Sequence, residues 1–348
     1  MAIDLSVRGM ALTLLGLRPI QKLLPPAVRG RGVIICLHSI GERQHGNGFA
    51  PMSGFRLRPS FLDGLLRSLR KASTPIVALR DVPAALSQPA GDPFVCFTFD
   101  DGYRDNWEIA WPIFRRWEAP FTVFLTTDFI DGTVPMCWSL LERCIASQDH
   151  FYLSDGERHW DWPTKAIEEK QACFAIVDEL FRCSTRHVAQ RLSADLRSRY
   201  GEDLWEAARL DALDWNNVRE MAADPLVDIG AHSLSHPLLG QLDCVEALRE
   251  IAGSKAVIER EIDRPVPHFA FPFGDDRAIG RDGVALACEA GFDVALTTRR
   301  DVLRASDVGR LHELPRITLD SRYETLAPVR AQLSGAPAAV KRLIRRRG

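Results

Sequence analysis

The chain has 348 residues, a formal net charge of −2 and 46% apolar residues. This length suits one large α/β domain or two smaller ones, and the near-neutral charge argues against binding to nucleic acid. The 8 cysteines show no CxxC spacing, and several lie in apolar runs. Scattered thiols of this kind are typical of a reducing compartment rather than of a disulfide-stapled secreted domain, so we expect a cytoplasmic protein.

The two termini carry features that suggest contact with a membrane surface. Residues 1–30 are predicted to form an N-terminal helical segment, because the apolar run at 9–17 is too short to span a bilayer and lacks a signal-peptide cleavage site. A cleaved signal is the less favoured alternative. Residues 326–348 are predicted to be a basic, solvated tail. Weak membrane association through either segment is an alternative to a purely soluble state.

Residues 31–325 alternate between apolar runs and stretches with helical spacing. The runs at 32–38, 75–79, 94–99 and 120–125 are largely continuous, as expected of parallel strands that are covered on both faces. Helical patterns at 59–72, with Ser60 as its cap, and at 107–117 lie between these runs. The βαβα order predicts a parallel sheet, open or closed.

The alternation changes from about 133 to 215, where charged, helical stretches dominate. We interpret this segment as a helical insertion between barrel strands. Strands are predicted again at 227–232, 269–274, 292–297 and 314–317, and helices at 245–263 and 283–290. About seven strands suit an incomplete barrel.

Two adjacent acids, Asp100 and Asp101, end the strand predicted at 94–99. Neighbouring strand residues point to opposite faces, so this pair fits where the strand stops and Gly102 lets the backbone bend. Strand ends of α/β folds collect catalytic and binding groups. If only these two acids are considered, the alternative to a functional site is a solvated turn in which an aspartate caps the next helix.

Two histidines, His232 and His236, follow another predicted strand. Their spacing of four residues puts both rings on one side of a helical turn, where they can bind one metal ion. A zinc site needs a third protein ligand, and Asp100 or Asp101 at a different strand end can supply it. Surface histidines or helix caps are the alternative.

Three segments together resemble the first three motifs of the polysaccharide deacetylases, carbohydrate esterase family four. They are FTFDDG at 97–102, HSLSH at 232–236 and FAFPFG at 269–274. The resemblance covers roughly residues 33–317 and implies an α/β fold, a distorted (β/α)7 barrel with the helical insertion. It also implies hydrolysis of N-acetyl groups, sometimes O-acetyl groups, on glycans; a branch that acts on exopolysaccharides has a similar third motif.

Site roles follow from the resemblance by motif position. Asp101, His232 and His236 are expected to bind a divalent metal, with zinc favoured and cobalt or nickel as alternatives. Asp100 is expected to be the general base, because a cation on Asp101 removes the repulsion between the carboxylates and leaves Asp100 ionised. The metal and a main-chain N–H near Phe273 are expected to bind the oxyanion of the reaction.

The chain departs from the family pattern at two positions. Ala270 stands where many members have an arginine that pairs with the catalytic aspartate, and 314–320 contains no Leu-x-His histidine. Arg316 is expected to orient Asp100 instead. His38 is the favoured general acid and His312 a second candidate; a core-bonded His38 and a surface His312 are the alternatives.

Four residues are predicted to contact substrate: Trp138, Pro272, Phe273 and Arg316. An aromatic face is a common sugar platform, although a tryptophan in an insertion is more often part of a core. The predicted function is a metal-dependent deacetylase of an N-acetylated glycan. An O-acetyl esterase or non-sugar amidase on the same scaffold, and a glycan-binding pseudoenzyme, are the alternatives.

Overall fold

The computed structural model describes residues 25–42, 48–88, 92–321 and 324–345. Most of the predicted N-terminal helical segment, residues 1–24, lies outside these ranges. Within them, none of the helices combines the length and the apolar character that a membrane span requires. The predicted localisation therefore stays a prediction.

The strands are numbered in chain order. They are β1 (Gly32–Leu37), β2 (Ser39–Ile40), β3 (Arg56–Leu57), β4 (Phe94–Phe99), β5 (Phe121–Leu125), β6 (His150–Ser154), β7 (His159–Pro163), β8 (Val227–Ala231), β9 (His268–Ala270), β10 (Val294–Leu296) and β11 (Ile317–Thr318).

The α-helices are numbered in the same way. They are α1 (Pro26–Arg29), α2 (Pro59–Lys71), α3 (Val82–Ser87), α4 (Trp111–Arg116), α5 (Thr127–Ile130), α6 (Cys137–Ala146), α7 (Ile167–Arg182), α8 (Arg186–Tyr200), α9 (Glu202–Arg209), α10 (Trp215–Ala222), α11 (Cys244–Ile262), α12 (Asp276–Ile279), α13 (Gly283–Glu289), α14 (Leu326–Leu333) and α15 (Ala336–Arg345). A π-helical turn at Asn106–Ala110 precedes α4, and the 3₁₀ turns are Pro51–Phe55, Leu79–Asp81, Leu239–Gln241, Ala305–Gly309 and Leu311–Glu313.

A seven-stranded parallel sheet in the order β10-β9-β8-β5-β4-β1-β11 forms the centre of the molecule. Its two edges are joined by the segment that leads into β11. Leu314 donates its N–H to Ala295 O and accepts from Thr297 N–H, so this segment pairs with β10 before β11 pairs with β1. The sheet curls into a distorted barrel with seven strands, which confirms the predicted fold class.

The continuous apolar runs are strands because both faces of the sheet are covered. All residues of β1 and β4 are buried. Val33 and Phe97 pack in the large cluster that includes α2 and α4, whereas Ile34 and Cys96 belong to a second cluster with Phe124. Side chains that alternate between two apolar environments give the sequence its unbroken hydrophobic runs.

The insertion has a core of its own, and it is not purely helical. Helices α6 to α9 pack around buried residues such as Leu141 and Leu192. Between α6 and α7, β6 and β7 pair as an antiparallel hairpin, which the sequence analysis did not predict. The side chains of Phe151 and Leu153 point into this core, while Tyr152 between them is exposed.

Smaller elements differ from their predictions. The strand predicted at 75–79 is reduced to one bridge between Ile76 and Val95, and the chain then enters a 3₁₀ turn. Helix α2 begins at Pro59 with Arg58 as its N-cap, so the predicted cap at Ser60 was wrong. Proline at the first helical position explains the earlier start, because its fixed φ suits a helix and it has no N–H to satisfy.

Of the predicted solvated tail, residues 326–333 and 336–345 form helices instead. Helices α14 and α15 follow the barrel, and Val329 and Ala331 of α14 are buried in the large cluster. The seven described free cysteines include four buried ones, which agrees with the expectation of unpaired thiols.

Candidate metal centre and active site

The carboxyl ends of the barrel strands meet around one cavity of about 360 Å³. Parallel strands place their carboxyl ends at the same face, which is why motifs far apart in the chain come together. The cavity is lined, among others, by His38 after β1, Asp100 and Asp101 after β4, His232 and His236 after β8, and Phe273 after β9.

The turn after β4 places the two acids in different environments. Asp100 continues the strand pairing, with its N–H donated to Leu37 O at 3.0 Å. The chain then bends sharply, because Asp101 and Gly102 have φ values of 77° and 87°. A Cβ at Gly102 would lie 3.0 Å from Leu125 Cδ2 in addition to the strained φ, so glycine is required there.

The histidine segment after β8 is not the helical turn that was predicted. Ser233 and His236 have φ values of 66° and 62°, in the left-handed region, and the Ser233 hydroxyl accepts the His236 N–H at 2.9 Å. Asp101 and Phe273 share this unusual conformation. Such backbone costs about 1–3 kcal/mol per residue and concentrates at functional sites. The two rings meet through loop geometry, not through helical periodicity.

Asp101, His232 and His236 form a cluster in which one ligand atom from each residue lies within 4.8 Å of the others. Asp101 Oδ1 is 3.5 Å from His232 Nε2 and 3.4 Å from His236 Nε2. These distances exceed those of ordinary N–H···O hydrogen bonds. They match the separation of about 3.3 Å expected between ligands of a tetrahedral ion with bonds of about 2.0–2.1 Å.

The donor set fits a divalent cation. His232 Nδ1 lies 2.7 Å from Ala270 O, and since a carbonyl only accepts, this nitrogen carries the proton. In a neutral ring Nε2 then directs a lone pair toward the Asp101 carboxylate. A bound cation would remove this repulsion, and the bond to the carbonyl already fixes the ring in the tautomer that could bind such an ion.

The ionisation of the cluster also favours metal binding. Burial raises the pKa of Asp101, but the interactions with the adjacent His232 and His236 rings outweigh burial and hold this pKa well below its usual range. Burial lowers the pKa of His236 to about 4, so its ring is neutral at pH 7. Burial also lowers the pKa of His232, yet the charges of Asp100 and Asp101 reverse this and raise it. An ionised Asp101 carboxylate therefore lies beside a neutral His236 ring, and both are groups that can bind a cation.

Arg316 holds Asp100 from behind, as the sequence analysis expected. Its guanidinium donates to Asp100 Oδ1 and Oδ2, both at 2.7 Å, and to Thr297 O at 3.0 Å. The thiol of Cys36 adds a weak bond to Asp100 Oδ2 at 3.3 Å. Burial raises the pKa of Asp100, but the Arg316 charge overcomes it and the net pKa is lowered. Asp100 is therefore ionised and fixed in orientation.

The structure separates the two candidate general acids. His38 lines the cavity, and one of its ring nitrogens lies within 4.8 Å of an Asp100 oxygen. Its ring packs edge-on against Phe55, and its buried Nδ1 has no acceptor among the described residues. His312 lies elsewhere, with Nε2 2.7 Å from Phe292 O, and is not among the cavity-lining residues.

The predicted substrate residues occupy different positions. Trp138 and Phe273 line the cavity and flank His236, with ring centroids 4.8 Å and 4.4 Å from the imidazole. Pro272 is buried and is not among the lining residues. Arg316 is fully buried behind Asp100 and does not line the cavity either, which makes it a positioning residue in this arrangement.

Glu250 on α11 supports the histidine loop and was missed by the sequence analysis. Its Oε2 accepts the N–H groups of Leu234 and Ser235 at 3.0 and 2.9 Å, and its Oε1 accepts the Ser235 hydroxyl at 2.9 Å. Glu250 is buried. Burial raises the pKa of Glu250, and its carboxyl group, with three donors, fixes the loop between His232 and His236.

We expect Glu250→Gln to weaken metal binding by about 10- to 100-fold, the usual loss when a group that orients metal ligands is removed. The glutamine amide has an NH2 group in place of one carboxylate oxygen. This NH2 group would face at least one of the three loop donors instead of accepting its hydrogen bond. The measurement is the metal dissociation constant by competition with a chelating dye. Glu246→Gln, exposed one turn earlier on α11, is the matched control. An unchanged constant in Glu250→Gln would contradict the role of this residue.

Comparisons with known proteins agree with this geometry. The family model described as polysaccharide deacetylase matches residues 87–295, more than half of the chain. No curated protein sequence gives a significant match. The match spans both the acid pair after β4 and the histidine loop after β8.

Solved structures with the same fold cover most of the chain. The Streptococcus pyogenes deacetylase PplD is 16% identical with a TM-score of 0.56, and covers 87% of this chain and 97% of its own. IcaB from Ammonifex degensii is 17% identical with a TM-score of 0.54, and the match covers 87% of this chain and 98% of IcaB. A de-N-acetylase from Aggregatibacter actinomycetemcomitans is 13% identical with a TM-score of 0.54, and the match covers 86% of this chain and 98% of that protein. At these identities the likeness concerns the fold.

Proposed function

The chain belongs to the polysaccharide deacetylase family, and from this premise we propose that it is a metal-dependent hydrolase that removes N-acetyl groups from an amino-sugar glycan. The observation that carries the proposal is the joint placement of Asp100, held by Arg316, and the cluster of Asp101, His232 and His236 in one cavity. A general base beside a cation site is what amide hydrolysis without a covalent intermediate requires.

Asp101, His232 and His236 are the residues that would hold the ion. A divalent ion there would act as a Lewis acid, which typically lowers the pKa of a bound water to about 7 and would polarise the acetyl carbonyl. Asp100 accepts the proton of the attacking water. Arg316 keeps both oxygens of that carboxylate oriented and keeps it ionised.

The third-motif loop can stabilise the negative charge that develops on the carbonyl oxygen. The main-chain N–H of Phe273 has no acceptor in the described part of the chain. The left-handed conformation of this residue, with φ at 58°, turns its backbone away from regular pairing. A preorganised donor of this kind is typically worth about 3 kcal/mol in the transition state.

His38 completes the proposal as the general acid. When the tetrahedral carbon expels the amine, the C–N bond breaks and the nitrogen needs a proton. His38 lies at the cavity near Asp100 and is the candidate of the two that the substrate can reach. The products are acetate and the free amino sugar.

We expect His38→Ala to lower kcat on an N-acetylated oligosaccharide by about 10²- to 10⁴-fold, because an amine leaving group needs its proton. The loss should be much smaller on 4-nitrophenyl acetate, whose phenolate leaves without an acid. His312→Ala, remote from the cavity, is the control and should keep full activity. Equal losses on both substrates in His38→Ala would contradict the assignment.

The proposed reaction is tested by acetate release over a panel of glycans. N-acetylated chito-oligosaccharides, de-O-acetylated exopolysaccharide and acetyl-xylan separate N-acetyl from O-acetyl preference. Each is assayed after loading with zinc, cobalt or nickel, and metal content is measured on the same sample. Preference for acetyl-xylan would favour the esterase alternative, and glycan binding without any release would favour a pseudoenzyme.

A further inference from the structure

Helix α7 of the insertion brings Arg182 to the wall of the cavity, next to the metal centre. We propose that Arg182 binds an uncharged oxygen, a hydroxyl or carbonyl, of the sugar that carries the acetamide, and thereby selects a glycan over a simple acetyl compound. This inference rests on the proposed function and adds a specificity residue that lies outside the three motifs.

The Arg182 side chain is fixed by two neighbours. Its Nε donates to Asp178 Oδ2 at 2.9 Å, one helical turn earlier on α7. Its guanidinium carbon lies 4.2 Å from the centre of the Phe273 ring. Asp178 is itself held, because Oδ1 accepts the Trp138 indole N–H at 2.9 Å. These contacts orient the guanidinium before any substrate arrives.

The fixed guanidinium keeps donors to spare. Nε is the one nitrogen that bonds a protein acceptor; Nη1 and Nη2 have none within the described ranges. The side chain is 33% exposed at the cavity, so these donors are accessible. A preoriented donor pair loses little conformational entropy on binding, which makes it an effective recognition group.

The position of this group relative to the metal ligand identifies what it can contact. The Phe273 ring contacts both the Arg182 guanidinium and the His236 imidazole, and Trp138 also contacts His236. If the acetyl group lies at the metal centre, the sugar attached to it lies beside the rings of Phe273 and Trp138 and close to the N–H donors of Arg182. A pyranose ring offers an apolar C–H face and oxygen atoms at its edge, which match these rings and donors.

The charged groups around Arg182 indicate whether the substrate oxygen that it binds is charged or uncharged. Asp178 pairs with the guanidinium, and Asp275, Asp320 and Arg300 also line the cavity, so these three acids outnumber the two arginines. A carboxylate or phosphate on the sugar would meet the acids as well as the arginines. The acceptor is therefore an uncharged hydroxyl or carbonyl oxygen, and the substrate around the acetamide is neutral.

The test compares Arg182→Gln and Arg182→Lys with the wild type on a neutral N-acetylated chito-oligosaccharide. We expect KM to rise about 10- to 100-fold, the loss typical of a hydrogen bond from a charged donor, with a smaller change in kcat and with metal content retained. Lysine should not rescue, because it lacks the fork and the Asp178 geometry. Arg277→Gln is the control; Arg277 pairs with Glu179 of α7 but lies outside the cavity lining.

Several results would overturn the inference. An unchanged KM, or an equal loss on 4-nitrophenyl acetate that lacks a sugar, would remove the specificity role. A wild-type preference for glycans with acidic sugars would also contradict it. Affinity of the oligosaccharide for Asp100→Asn, with and without Arg182→Gln, tests the contact without turnover. If the wild type deacetylates no glycan, the proposed function fails, and this affinity comparison still decides on Arg182.

Discussion

Asp100→Asn is expected to lower acetate release by about 10⁴-fold, the upper end of what a general base contributes. Asparagine has nearly the same shape but cannot take a proton from water. The metal cluster of Asp101, His232 and His236 does not include the changed side chain, so the variant should keep about one ion per chain. The measurement pairs acetate release with metal analysis on the same preparation.

The matched control is Asp105→Asn, which makes the same change in a half-buried carboxylate outside the cavity lining. Asp105 bonds Ser39 and Asn106, and this variant should retain turnover. Full activity of Asp100→Asn would contradict its role as base. Loss of the metal from Asp100→Asn would mean that Asp100 belongs to the cation site instead.

Asp100 also contributes to the pH dependence of the free energy of unfolding, and its substitution changes that stability. The folded-state pKa of Asp100 is lowered, so its pair with Arg316 stabilises the fold above the unfolded-state pKa of about 3.9 and is lost as pH falls through the folded value. Asparagine leaves the buried guanidinium without a charged partner, at a cost of up to about 3–5 kcal/mol. Thermal melting at pH 7 checks that the variant is folded under assay conditions.

His236→Ala is expected to lose both the metal and the activity. Two remaining ligands are too few for a zinc site, which needs three protein ligands and an open position for water. The imidazole also packs against both Trp138 and Phe273, so its removal leaves a cavity in the wall of the site. Metal content after dialysis and acetate release are the measurements.

The control for His236→Ala is His159→Ala, on the exposed strand β7 of the insertion. It should keep the wild-type metal content and activity. Full retention of zinc in His236→Ala would disprove the proposed ligand set. Retention of activity without bound metal would contradict the metal-dependent reaction itself.

The barrel and its acid pair could be predicted because local patterns determine them. Strands β1 and β4 are buried on both faces and therefore read as continuous apolar runs. Asp100 and Asp101 interrupt such a run, and Gly102 follows with the positive φ that the bend requires. Parallel strands then bring His232 and His236 to the same end of the barrel without any further information.

Loop geometry and long-range contacts were not predictable in the same way. The spacing of His232 and His236 suggested a helical turn, but left-handed residues form the loop. Glu250 on α11 contacts the loop after β8, and Arg182 on α7 contacts the loop after β9. Such contacts between separate elements leave no local pattern in the sequence.

The hairpin β6–β7 did carry a signal, since Asp155 and Gly156 lie between two alternating stretches, as in many hairpin turns.

The pairing of Arg316 with Asp100 shows how one departure from the family pattern is compensated. Ala270 on β9 stands where many members of the family have an arginine that pairs with the corresponding aspartate, and its side chain packs in the apolar cluster inside the barrel. Arg316 reaches Asp100 from the segment that closes the sheet between β10 and β1. The carboxylate keeps a bidentate partner, but this arginine comes from the segment just before β11.

The central claim is that a metal ion held by Asp101, His232 and His236 serves hydrolysis of an N-acetyl group on a glycan. Its most direct test is acetate release from N-acetylated chito-oligosaccharides by the purified protein before chelation, after chelation, and after addition of zinc, cobalt or nickel. We predict that chelation abolishes release and that one of these metals restores it at about one ion per chain. Release that persists in the metal-free protein would contradict the account.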